Sequence, residues 1–180
     1  MKRWFSGIQK HIIIWGVLLV YLFSANQLYV QYILKNGKPF STAIDLPAQT
    51  NGVTYRLSDF VQPLRYEGQD LVELKGYAFN AANPTAENKI TIILSSADQK
   101  LAFQTRPDPF PNMIESYPNY TKGMDHAEFS LLLSKNALKP GTYKIGILLE
   151  DSRGASRAYV LTGSSIRKTP NIISYIPGSY

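Results

Sequence analysis

Residues 127–150 read AEFSLLLSKNALKPGTYKIGILLE, and the fold turns on them. Phe129, Leu131 and Leu133 recur every second position, and Tyr143, Ile145, Ile147 and Leu149 do so again after a gap, which is the period of a strand with one face buried. The intervening KNALKPG carries the Pro-Gly signature of a tight turn after a single helical turn. The unit is strand, turn, strand.

Working outward, residues 89–95 (KITIILS) place Ile90, Ile92 and Leu94 on one face, and the turn at Asp98, Gln99 and Lys100 leads to LAFQT, with Leu101, Phe103 and Thr105 aligned. These two runs form a hairpin. Residues 71–79 (LVELKGYAF) alternate imperfectly, and Gly76 inside that pattern signals a bulge or a close backbone approach. An early strand is expected at residues 53–57, DSRG at 151–154 turns into SRAYVLT, and a weak last strand covers residues 165–168. No amphipathic helix of any length interrupts the series. Seven to eight short strands separated by turns predict an all-β, antiparallel, immunoglobulin-like sandwich of about 110 to 120 residues. The Trp and disulfide of antibody domains are excluded, because Trp4 and Trp15 precede the strands and the chain has no cysteine.

The 180-residue chain as a whole carries a net charge of +6, with a mean hydropathy of −0.15. Three of its 19 basic residues, Lys2, Arg3 and Lys10, lie ahead of an uncharged run over residues 11–34, whereas all 13 acids lie at or beyond Asp45. Residues 12–23 (IIIWGVLLVYLF) are apolar, aromatic or Gly throughout, and as a helix residues 12–34 reach about 34 Å, enough for a bilayer core of about 30 Å. We therefore expect a cytoplasmic basic stub at 1–11, a transmembrane signal-anchor helix at 12–34, a linker at 35–52 and an extracytoplasmic sandwich with a C-terminal tail at 53–180. Basic residues before the span place the N-terminus inside. Ser24, Gln27 and Gln31 share one helical face, which suits either a partner transmembrane helix or the headgroup layer. The alternative is a secreted module released by signal cleavage, but the triplet Phe23, Ser24, Ala25 puts a bulky residue where a cleavage site wants a small one.

Chemistry is sparse. Without cysteine there are no disulfides and no thiolate chemistry, and His126 is the single histidine of the outer portion, which leaves no nucleophile and base arrangement. The carboxylates show no diagnostic spacing for glycoside hydrolysis; a divergent hydrolase would need two of Asp108, Glu115 and Asp125 to converge. Glu150 and Asp151 suit a hairpin end, or with Asp125 a loop calcium site. No catalytic residue, metal or cofactor is assigned. The outer portion holds 16 bases against 13 acids, mostly scattered, so nucleic acid is not an expected partner. Arg153, Arg157, Arg167 and Lys168 suggest a modest patch for anionic lipid or wall polymer.

Residues 106–125, RPDPFPNMIESYPNYTKGMD, form the most informative segment. Four prolines exclude regular strand or helix over most of it, and a loop of about 20 residues in a compact domain usually has a task. One reading is a recognition loop in which Arg106 and Asp108 place polar contacts while Phe110, Tyr117 and Tyr120 stack on a sugar or protein partner. The other is a crossover between sheets, held by an Arg106–Asp108 salt bridge. Asn119-Tyr120-Thr121 is a formal glycosylation sequon.

Taken together, KGYAFNAANPTAENKITIILSS, Arg106 with Asp108, DHAEFSLLLSKNALKPGTYKIGILLED and AYVLTGSSI resemble the Ig-like β-sandwich modules of bacterial cell-envelope proteins associated with polysaccharides or glycosyltransferases. The likeness covers residues 71–166. Tyr77 stands where those modules commonly have Trp, and Ala127-Glu128 interrupts the usual Gly-Phe pairing before Phe129. The resemblance implies a non-catalytic appendage, an accessory to a polysaccharide-handling membrane assembly that binds a membrane protein or envelope glycan.

Overall fold

The computed structural model describes residues 11–22, 24, 25, 28, 37–42, 44–58, 71–108, 113–151 and 156–178. They fall into two units, residues 1–35 and 36–180. In the first, residues 11–22 are α-helical, and the apolar side chains from Ile12 to Leu22 are all well exposed, Trp15 at 63% and Tyr21 at 70%. Among the described residues no helix is long and apolar enough to cross a membrane. The span expected at 12–34 runs on into residues outside the described set.

The second unit is a two-sheet β structure. Its strands are β1 (Val53–Leu57), β2 (Leu71–Asn80), β3 (Asn88–Ser95), β4 (Lys100–Gln104), β5 (Arg106–Pro107), β6 (Glu128–Ser134), β7 (Gly141–Asp151), β8 (Arg157–Lys168) and β9 (Ile173–Ile176). One sheet has the order β1-β2-β6-β5 and the other β4-β3-β7-β8-β9, all antiparallel. The core lies between them. Val72, Leu74 and Ala78 of β2 and Phe129, Leu131 and Leu133 of β6 meet Ile90, Ile92 and Leu94 of β3 and Tyr143, Ile145, Ile147 and Leu149 of β7. These are the period-two residues of the sequence, so the alternation that defined the strands also fills the sandwich.

Gly76 is a close-approach position: a Cβ there would run into the Arg56 carbonyl oxygen of β1 and stand 3.0 Å from the Phe129 ring. The loop KNALKPG holds a 3-10 turn at Lys135–Ala137, and Tyr143 closes it by donating its hydroxyl to the Lys139 carbonyl at 3.0 Å while accepting from Gln99 Nε2 at 2.9 Å.

Three expectations change. The weak strand at 165–168 is the second half of β8, which stays continuous because Gly163 takes φ +74 and β7 shifts register between Lys144 and Gly146. The last strand is β9. Most importantly, the stretch read as a linker is part of the domain. Gly37 O accepts from Ser134 N, Phe40 N and Ser41 O bond Ala102 on the edge of β4, and Thr50 N bonds Tyr159 O on β8. Between these attachments Ile44 and Leu46 pack on Ile93, Ala102 and Leu148, so residues 37–42 and 44–50 form a strap across the outer face of the five-stranded sheet. Gly, Pro and Ser break the period of such a segment without stopping it from packing.

Candidate functional site

The long loop sits on the outer face of the four-stranded sheet. With Val72, Leu74 and Ala78 turned inward, β2 presents Glu73, Lys75, Tyr77 and Phe79 outward, and the register aligns the first three with Leu132, Ser130 and Glu128 of β6. Tyr77 and Phe79 are nonetheless buried, at 6% and 1% exposure. Residues 113–127, ahead of β6, cover them. The 3-10 turns at Ile114–Ser116 and Asp125–Ala127 bring Ile114, Met124 and Ala127 onto Tyr77 and Phe79, a second apolar cluster separate from the main core.

Tyr117 packs edge-on against Phe79, with ring centroids 5.2 Å apart, and against Tyr77 at 6.3 Å. Tyr120 donates its hydroxyl to Asp125 Oδ1 at 2.7 Å, and that bond, reinforced by burial and by the charges of Asp125, Glu115 and Glu128, pushes the phenol up to about 12. Buried Glu128 accepts from the Ile114 backbone N–H. Ser130 Oγ donates to Glu73 Oε1 at 2.6 Å, and Arg56 Nη1 donates to Ser116 Oγ at 2.9 Å. Buried carboxylates on an outer sheet face persist only when paired or hydrogen-bonded. Here each has a partner.

Among the residues expected to recognise a ligand, Tyr117 and Tyr120 come together on the sheet, half-buried and engaged in the loop's own packing. Asp108 is buried and its carboxylate meets Lys75 Nζ at 2.8 Å, which replaces the expected Arg106–Asp108 bridge. The register puts Lys75, Ser130 and Arg106 in one row, so Lys75 is the cation on the covered side and Arg106, on the two-residue edge strand, remains half-exposed. Phe110 lies outside the described residues, as do Gln27 and Gln31; Ser24 is helical and exposed. Among its described residues between β5 and β6, the loop offers Glu115, Ser116, Pro118, Asn119, Thr121, Lys122 and Gly123 to solvent.

The sequence reading overlooked Lys75, Glu73, Glu128, Tyr77 and Phe79. Their signal was the poor alternation of LVELKGYAF, since a strand apolar on both faces must be covered on both.

Other expected sites disperse. His126 Nε2 lies 2.9 Å from the Ala86 carbonyl, which can only accept, so that nitrogen carries the proton. Glu150 is bonded to Arg157 at 3.1 Å and lies 3.9 Å from Lys89, and no group of three potential metal ligands stands together among the described residues, so the calcium arrangement with Asp125 does not form there. Arg157 and the Arg167-Lys168 pair occupy opposite ends of a 12-residue strand, roughly 35 Å apart at about 3.3 Å per residue, and Arg153 is outside the described set. The expected C-terminal patch is therefore not one surface. A cleft of ≈ 190 Å³ between the sheets, flanked by Lys89, Gln104, His126 and Glu128, falls below the usual small-molecule range of about 300–1,000 Å³, whereas two clefts beside the Asp98–Gln99 turn, of ≈ 320 and ≈ 330 Å³, reach its lower end. Comparison of the chain with known protein families, with curated proteins and with solved structures finds no match.

Proposed function

We propose that the chain is a single-pass membrane protein, N-terminus in the cytoplasm, that displays a non-enzymatic immunoglobulin-like sandwich outside the cytoplasmic membrane as a binding module for a membrane-protein partner or an envelope glycan. The observation that carries the anchor is the helix at residues 11–22, whose side chains from Ile12 to Leu22 are apolar or aromatic around its whole circumference and exposed. Such a surface is stable in lipid and costly in water.

The immunoglobulin-like reading rests on connectivity. The orders β1-β2-β6-β5 and β4-β3-β7-β8 follow the ABED and C′CFG sheets of that architecture, with β5 cut to two residues and β9 added. Tyr143 supports it further: near the start of the F-equivalent strand, with its hydroxyl on the carbonyl four residues upstream, it has the geometry of a tyrosine corner. A binding role is favoured over catalysis because Asp108, Asp125, Glu128 and Glu150 are each committed to a structural partner. The loop's packed rings then serve as a rigid base for the exposed Glu115, Ser116, Pro118, Asn119, Thr121 and Lys122, and a fixed loop loses little entropy on binding. An accessory role in a polysaccharide-handling assembly follows from the sequence resemblance.

The test is to express the whole chain, extract membranes with alkaline carbonate, and measure the intact mass. The proposal expects the chain in the pellet, starting at Met1 or Lys2, with the sandwich open to protease from outside and a second membrane protein co-purifying in mild detergent. A soluble chain beginning near Asn26 would establish the secreted alternative instead. Recovery as a lone monomer would remove the accessory-subunit role.

A further inference from the structure

The strand registers sort charge along the sandwich. At one end lie Ser95 and Lys100 opposite each other, Lys144 opposite both Ser95 and Ser165, and Arg167 opposite Thr142. Paired residues share a face, so Lys100, Lys144 and Arg167 flank one corner of the five-stranded sheet. The connections at the same end add Lys38, Lys135 and Lys139. Five of these six are exposed and Lys135 is half-exposed. Among the described residues none of the six forms a salt bridge, whereas Lys75, Lys89 and Arg157 all do. Asp98 is the one exposed acid at that end within the described set. The opposite end carries Asp45, Glu87, Asp125, Glu150 and Asp151.

We propose that this basic end is a docking surface for anionic phospholipid headgroups and holds the sandwich end-on against the membrane. The inference rests on the membrane-anchor reading. The basic end is where the polypeptide enters the domain, because the Gly37 carbonyl accepts from Ser134 N at 2.9 Å, at the last residue of β6. The proposed span stops at Leu34, three residues earlier, a reach of about 10 Å at most. That tether keeps the lysines within roughly one Debye length of the headgroups at physiological salt. A soluble wall polymer would gain no such proximity. Beside Lys168, the turn closed by Thr169 N on Ile172 O leaves Ile172 64% exposed, an apolar side chain suited to the headgroup boundary.

The chain has no cysteine, so single labels are clean. Ala97→Cys marks the basic end and Glu87→Cys the opposite one; each carries a fluorophore on the full chain in vesicles containing a lipid-borne quencher, made of phosphatidylcholine alone or with roughly one-third phosphatidylglycerol. At low salt, quenching at position 97 should rise at least about threefold in the anionic vesicles, and it should return to the neutral level in about 0.5 M salt. The triple variant Lys139→Glu, Lys144→Glu, Arg167→Glu should abolish the rise, while position 87 stays unquenched throughout. Equal quenching at position 97 in both membranes, or a rise that survives the triple variant, overturns the proposal. So does capture of soluble poly(glycerol phosphate) by a chain that shows no response to phosphatidylglycerol, which would assign the surface to a polymer. Failure to float with vesicles of either composition is a separate result: it overturns the anchor, and the end-on docking with it.

Discussion

At the Tyr120–Asp125 contact, the neutral phenol is the form the folded chain prefers, since only a protonated hydroxyl can donate to the carboxylate. The ordinary value of 10.0 moves to about 12, so the stabilisation from this bond is complete below pH 10 and disappears as the pH climbs from 10 to 12. Ultraviolet difference titration should show a late-ionising tyrosine that Tyr120→Phe removes; Tyr159, raised by burial, should remain late. Gly76 makes a second residue-scale prediction. Because an added methyl meets the Arg56 backbone oxygen and not a movable side chain, Gly76→Ala should lower stability by about 1–3 kcal/mol in urea unfolding. Legibility at this scale was uneven. Gly76 announced a close approach from its place in a strand pattern, whereas Tyr117 and Tyr120 read as exposed because proline-rich sequence carries no sign of which surface a loop lies on. Asp108 was legible as an anchor, but its partner, Lys75, is 33 positions earlier and only strand pairing brings it near.

Among the elements, the strand-turn-strand unit at 127–150 was readable almost to the residue, since alternation and the Pro-Gly turn reflect local geometry. Tyr143→Phe tests how much the loop between β6 and β7 depends on one hydroxyl: losing its bonds to Lys139 and Gln99 should cost about 1–2 kcal/mol, seen as a lower urea midpoint with an unchanged slope. The strap and the covering loop were the illegible elements. Both lack periodicity, and both are dictated from elsewhere, by apolar residues on the outward faces of strands: Ile93 and Leu148 under the strap, Tyr77 and Phe79 under the loop. Continuous apolar runs such as IIL at 92–94 and ILL at 147–149 were the available evidence that each sheet is buried on two sides.

For the whole molecule, sheets assembled from distant segments, such as β2 with β6, predict refolding over milliseconds to seconds by stopped-flow fluorescence, slower than a helical domain of similar size. The initial net charge of +6 also changes meaning. Part of it, Lys2, Arg3 and Lys10, precedes the apolar run, and part gathers at the end of the sandwich where the chain enters. The strap has a further consequence for solution behaviour. Open strand borders are templates for stacking one molecule on another, and residues 40, 41 and 50 occupy backbone groups of β4 and β8 that would otherwise be free. A chain cut to begin at residue 53, where the strand pattern starts, would expose those borders together with Ile93 and Leu148. It should grow steadily in light scattering, while one beginning at residue 37 stays monodisperse. The least strand-like segment of the domain thus acts as its guard against aggregation.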